Sequence, residues 1–172
     1  AESPVAVLEQ KTRMIENFFN NQLPAGSAYL KVGALDKLMG FELYYTTHPD
    51  QAPYQFDGVI GVESGVTKLY FPLVRTGADW QSTLRMTNLA AVANSVTVHA
   101  YDINGASKGD YATNLVAKGK LDMGLSAMFP STVNEIAWIY VESADQVIGD
   151  LFYVSVDQTK LSSYMGLGVS GD

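Results

Sequence analysis

A chain of 172 residues with 11 Lys and Arg against 18 Asp and Glu carries a net charge of −7, which repels a phosphate backbone or an anionic bilayer and excludes nucleic acid as the expected partner. The absence of cysteine removes disulfide frameworks, thiolate metal sites and thiol nucleophiles, and no apolar run approaches the roughly 18 residues of a membrane span. A 47% hydrophobic, 17% charged composition with 10 Tyr, 7 Phe and 2 Trp belongs to a globular, β-rich fold that buries roughly 70% of its unfolded surface and needs no staple.

The opening residues, "AESPVAV", read as a mature N-terminus from which a signal peptide has been removed. Ser3 is suited to cap a helix and Pro4 to its first position, while Val5, Leu8, Ile15, Phe18 and Phe19 form an apolar stripe. The spacing predicts a helix from Pro4 to Asn20, ended by Asn20-Asn21 and Pro24. Next, "AYLKVGALDKLMGFELYY" (28–45) reads as a β-hairpin with Ala28, Leu30 and Val32 on one face and Gly40 interrupting its second strand. The loop "TTHPDQAPYQF" follows, holding His48 between the aromatic residues Tyr44, Tyr45, Tyr54 and Phe56.

"TKLYFPLV" is an apolar strand that Pro72 places at an edge or a bulge. "WQSTLRMTN" alternates from Trp80 to Asn88, and "NSVTVHAYDING" alternates through Val96, Val98 and Ala100 into an Asn104-Gly105 hairpin turn. A short helix is expected over Leu121 to Phe129, stopped by Pro130. "AWIYVESADQVIGDLFYV" (137–154) then reads as a second hairpin with "SADQ" at its turn, Ile139 and Val141 facing one way and Trp138 and Tyr140 the other. Core packing is the expected role of both Trp80 and Trp138.

The two hairpin phrases are near copies. A shift of 109 positions carries Ala28 onto Ala137, Val32 onto Val141, Asp36 onto Asp145, Gly40 onto Gly149 and Tyr44 onto Tyr153. With two residues deleted, Ile60-Gly61-Val62 falls on Leu167-Gly168-Val169. The chain therefore reads as a mainly β protein, an antiparallel β-sandwich built from about one and a half copies of a repeat unit, with an N-terminal helix and a short second helix. Residues 1–63 are the back half of a unit with its helix and 64–172 a complete unit, sharing one core in a single domain over 1–172. A half unit leaves the apolar faces of Leu30, Val32, Met39 and Leu43 to be covered by the helix, the complete unit or a second chain.

Catalytic chemistry finds no footing. His99 lies inside an alternating strand and reads as a strand-face histidine; His48 reads as a loop residue. Ser126 in "GLSAM" lacks the second glycine of a nucleophile elbow. "DINGASKGD" has Asp102, Asn104 and Asp110 at calcium-loop positions but Thr113 where the closing Glu belongs. No catalytic residue, metal ligand or cofactor is assigned. Aromatics are the remaining lead, and the ligand-binding candidates are Tyr44, Tyr45, His48, Tyr54, Phe56 and Trp80.

The order "LYFPLV", W-x-S-x-L-x-M-x-N, "VHAYDING", "LVAKGKLDMGLSAMF" and "AWIYVESADQVIGDLFYV" resembles β-sandwich repeat modules of roughly 110 residues in secreted and cell-surface bacterial proteins. The resemblance covers 66–172, and 5–62 as a partial copy. It implies a noncatalytic extracytoplasmic module, secreted, periplasmic or at the cell surface, for ligand binding, adhesion or surface structure. The alternative is a carbohydrate-binding or carbohydrate-active protein using exposed aromatics. The partner is then an unknown protein or a carbohydrate, with no membrane span; the helix and the complete unit together are the expected cover of the half unit, and a homodimer through the first hairpin is the next alternative.

Overall fold

The computed structural model describes residues 19–20, 22, 30, 32, 41–45, 56–62, 64–157 and 160–169, and strands account for most of these. The chain divides into two compact units, Ala1–Gly33 and Ala34–Asp172. In the first, Gln22 N–H donates to the Phe19 carbonyl at 2.9 Å around Asn20, whose φ of 53° suits a turn. The rest of the predicted Pro4–Asn20 helix lies outside the described residues. Leu30 and Val32, expected to be covered, are exposed.

Among the described residues the second unit holds ten strands: β1 (Phe41–Tyr45), β2 (Phe56–Ile60), β3 (Val66–Phe71), β4 (Trp80–Asn88), β5 (Asn94–Tyr101), β6 (Ser107–Leu115), β7 (Lys120–Gly124), β8 (Trp138–Ser155), β9 (Leu161–Met165) and β10 (Leu167–Gly168). β1 and β2 form a two-stranded antiparallel sheet, Phe41 opposite Ile60 and Tyr45 opposite Phe56. The other eight strands make one antiparallel sheet. The only α-helix among the described residues is α1 (Leu125–Met128), followed by a 3-10 turn at Val133–Glu135. The helix expected over Leu121–Phe129 is therefore corrected: its first part is strand, because Leu121 and Met123 alternate inward opposite Met86 and Leu84.

The sheet branches at β8, which is 18 residues long. Its first half lies between β3 and β5, with Val141 opposite both Leu69 and Val98. Its second half lies between β4 and β9, with Leu151 opposite both Leu84 and Tyr164. One arm thus runs β10-β3-β8-β5-β6 and the other β9-β8-β4-β7.

This corrects the second predicted hairpin. Residues 137–154 do not fold back on themselves, since each half of β8 finds strands on both of its edges. The "SADQ" turn chemistry makes a bulge instead. β3 moves from Val66 to Lys68 while β8 moves from Val147 to Glu142, leaving 143–146 outside the β3 ladder. Asn94 holds that bulge, its Oδ1 accepting from Asp145 N–H and its Nδ2 donating to the Asp145 carbonyl, both at 3.0 Å. Beside it, Asn88 Nδ2 donates to the carbonyls of Val92 (2.8 Å) and Val116 (2.9 Å), and its Oδ1 accepts from Ala90 N–H at 2.9 Å. Both asparagines are fully buried, so two amide side chains tie together the β4–β5 corner, the β6–β7 corner and the β8 bulge.

Inward-facing side chains of both arms form one core. Phe71, Leu84, Val96, Val98, Ile139, Val141, Val147 and Leu151 are wholly buried, and α1 adds Leu125 and Met128. Gly149 occurs where it does because a Cβ there would lie 2.9 Å from the Arg85 carbonyl oxygen, which matches the close backbone approach expected of an interior strand glycine. No helix among the described residues is long and apolar enough to cross a membrane.

Candidate functional site

Period-2 alternation puts every second residue of β3, β5, β6 and the first half of β8 on the face opposite the core. The register then aligns them in rungs. Tyr70, Tyr140, His99 and Asp110 form one rung across four strands. Lys68, Glu142 and Thr97 form the next, and Tyr101 with Trp138 the one on the other side.

The middle rung is a stack. Tyr70 and Tyr140 lie 4.5 Å apart between ring centroids at 25°, and Tyr140 and His99 lie 5.6 Å apart at 20°. Tyr101 and Trp138 are closer still, 4.2 Å apart at 12°. Rings this near and this parallel turn their faces to one another and their edges to solvent.

Charge surrounds the stack. Tyr140 Oη donates to Glu142 Oε1 at 2.6 Å, and Lys68 Nζ lies 3.5 Å from the same oxygen. The Tyr140 hydroxyl foremost, then Lys68, holds the Glu142 carboxyl below the usual carboxylate range. Burial, and secondarily Glu142, pushes the Tyr140 phenol above its ordinary value. His99 Nδ1 donates to Asp110 Oδ1 at 2.8 Å. Its Nε2 is buried without a hydrogen-bond partner, 3.7 Å from Glu142 Oε2. A shallow depression of about 360 Å³ adjoins the rung, lined by Thr67 and Lys68 of β3, Ser95 and Thr97 of β5, and Glu142, Ser143 and Ala144 of β8. It is polar and open, suited to contact and not to enclosing a substrate.

The sequence-predicted candidates lie elsewhere. Tyr44 and Tyr45 are on β1 and Phe56 begins β2, so pairing brings Tyr45 opposite Phe56 at the end of the pair where the chain passes from β1 to β2. His48 and Tyr54 lie outside the described residues. Trp80 starts β4 opposite Ser155, packs partly buried against the core, and has the Arg75 guanidinium carbon 5.1 Å from its ring centre. Trp138, expected in the core, stands instead on the outer face against Tyr101. His99 lies on its strand face, as alternation indicates. Sequence reasoning missed the Tyr70, Tyr140, His99 rung because the register between strands so distant in the chain is not written in any one of them.

The calcium-like loop is a hairpin turn. Asp102 Oδ1 accepts from Asn104 and Ala106 N–H, both at 2.9 Å, and Oδ2 lies 3.1 Å from Lys108 Nζ. The Ala106 amide, then Lys108, keeps this carboxyl below its ordinary value. Among the described residues no group of three or more His, Asp or Glu is placed to hold a metal ion.

No protein-family model and no curated protein matches the chain. A crystal structure from Thermotoga maritima, described only as Thermotoga maritima 1070, is similar in fold. Its TM-score is 0.54 at 14% sequence identity, over 63% of this chain and 98% of that one. At that identity the likeness speaks for the fold alone, and this chain is a mainly β protein built on an eight-stranded antiparallel sheet.

Proposed function

We propose that the chain is a noncatalytic extracytoplasmic bacterial module that binds a protein partner through the outer face of β3, β8, β5 and β6. Its two arms pack face to face as a β-sandwich, a reading supported by the single core that both contribute. The repeat is supported by a structural echo. β1 pairs with β2 over five residues, and residues 150–154 of β8, which are β1 shifted by 109, pair with the five residues of β9. The similar structure, almost all of whose chain is covered by 63% of this one, is consistent with one complete unit being a fold in its own right.

The observation that carries the binding reading is the stacked outer rung with its charges. Half-buried Tyr, Trp and His side chains, mixed Lys, Glu and Asp, and an open shape are the composition of a protein contact surface. A carbohydrate platform needs ring faces lying flat toward the ligand, and here neighbouring rings cover one another. The carbohydrate alternative is correspondingly weaker.

The test places a photo-crosslinking amino acid at exposed Ala144, beside the depression, in the full-length protein in its native cells. One discrete protein adduct in the cell-envelope or secreted fraction is expected, lost when Lys68→Glu and Glu142→Lys are introduced together. Adducts unaffected by those changes, or recovery of the protein from the cytoplasm alone, refutes the proposal. Retention on polysaccharide gels that is abolished by Tyr70→Ala selects the carbohydrate reading.

A further inference from the structure

The outer edge of β6 is an unfinished ladder. β6 is nine residues long and pairs only with β5. Its start is closed off: Lys108 bulges out of register, Gly109 has φ 123°, and the Lys108 carbonyl accepts from Thr132 Oγ1 at 2.9 Å. From Asp110 to Asn114 no backbone N–H or C=O among the described residues bonds anything but β5. Other edges are dealt with. β7 is five residues long, carries the Lys120–Asp122 ion pair and runs into α1; β9 has β2 alongside it; β10 has two residues. The free part of β6, "DYATN", has neither the Pro nor the Lys that ordinarily blunts an edge.

We infer that this edge pairs with β6 of a second copy of the chain, antiparallel about a two-fold axis through Ala112. Side chains opposite one another in an antiparallel pair share a face, so only registers that pair odd with odd and even with even are allowed. Centring on Ala112 uses the whole free stretch without entering the Gly109 bulge. It sets Ala112 against its own copy, the smallest side chain at the crossing point. Exposed Asp110 faces exposed Asn114 of the second copy, whose amide donates to the carboxylate, while His99 bonds that carboxylate from its own chain. Tyr111, packed on the core from the inner face, faces Thr113, an aromatic and β-branched pairing that stabilises ladders. No like charges meet. The two-fold repeats each contact, as an isologous interface requires, and the rung Tyr70, Tyr140, His99, Asp110 then reaches the seam between the copies.

The experiment is sedimentation equilibrium on the full chain and on charge variants at exposed Asn114. Wild type is expected to show a monomer–dimer equilibrium. Asn114→Asp sets carboxylates opposite each other twice per dimer and weakens association about tenfold, whereas Asn114→Lys strengthens it; thermal unfolding at dilution checks that each variant folds. Because the chain has no cysteine, Ala112→Cys supplies a second readout: mild oxidation is expected to yield a disulfide-linked dimer. A monomer at every concentration overturns the inference. So does a dimer indifferent to both Asn114 changes and not crosslinked by Ala112→Cys, such as one through the first hairpin.

Discussion

Replacing Asn88 by alanine removes three good hydrogen bonds from a wholly buried position, to the Val92 and Val116 carbonyls and from Ala90 N–H. At about 1 kcal/mol net for each bond the loss is about 3 kcal/mol. Val92 and Val116 are on exposed loops, so water reaches part of what is uncovered, while the lost amide volume adds a small cavity. The two corrections oppose each other, leaving about 2–4 kcal/mol from a total on the order of 10 kcal/mol. In a chain of this size that lowers the melting temperature by about 5–15 °C. Urea unfolding is the assay, with a lower midpoint and an unchanged slope expected. Asn88→Asp sharpens the test: it keeps the acceptor for Ala90 but turns a carboxylate toward the carbonyl oxygens of Val92, Leu115 and Val116, so it is expected to cost more than alanine. The reasoning is refuted if Asn88→Ala falls within about 0.5 kcal/mol of wild type, the range of an ordinary surface substitution, or if aspartate is better tolerated than alanine.

Other outcomes follow from the same geometry. Tyr164 Oη donates to the Leu73 carbonyl at 2.6 Å and accepts from Leu73 N–H at 3.1 Å; with Tyr153 still bonded to that carbonyl, Tyr164→Phe is expected to cost about 1 kcal/mol by chemical denaturation. Gly149→Ala sets a methyl 2.9 Å from backbone oxygen and is expected to cost about 1–3 kcal/mol in the same assay. The depressed Asp102 and Glu142 carboxyls stabilise the fold above their ordinary values, and that contribution is lost as pH falls through their lowered ones. Asp150, raised by burial despite its Arg85 partner, works the other way; the double variant Asp102→Asn, Glu142→Gln is expected to flatten the acid limb of a melting-temperature profile against pH. Residues 64–172 expressed alone are expected to unfold cooperatively but at a lower midpoint, with aggregation, because β9 loses the β2 strand beside it; a monomer as stable as the whole chain defeats the shared core.

Strand positions were the most legible feature of the sequence. Alternation located β4 residue for residue and ended β5 at the Asn104-Gly105 turn, because burial on one face imposes a period that a single strand displays by itself. β8 reads as a hairpin from its sequence for a definite reason. "SADQ" has the composition of a hairpin turn, and what makes it a bulge is the Asn94 side chain about fifty residues upstream, which satisfies the Asp145 backbone that a returning strand would have satisfied. Leu121 to Met123 reads as helix because a short apolar run fits both periods until its neighbours are known. The candidate site was nearly illegible. Tyr70, His99 and Tyr140 are unremarkable outward residues on three separate strands, and only the register between those strands makes them one surface.

A strand shared by both arms also dictates when this protein can be assembled. As the chain leaves the ribosome, β3 waits without either of its strand partners, β4 has only β7 and β5 has only β6, until residues 138–155 emerge and join three of them at once. Every one of those pairings closes a long loop, so folding is slow for the size of the chain. During that interval the apolar faces of "TKLYFPLV" and "NSVTVHAY" stand open, which makes the nascent chain a natural client for a holding chaperone and makes β8 the segment whose arrival ends that dependence.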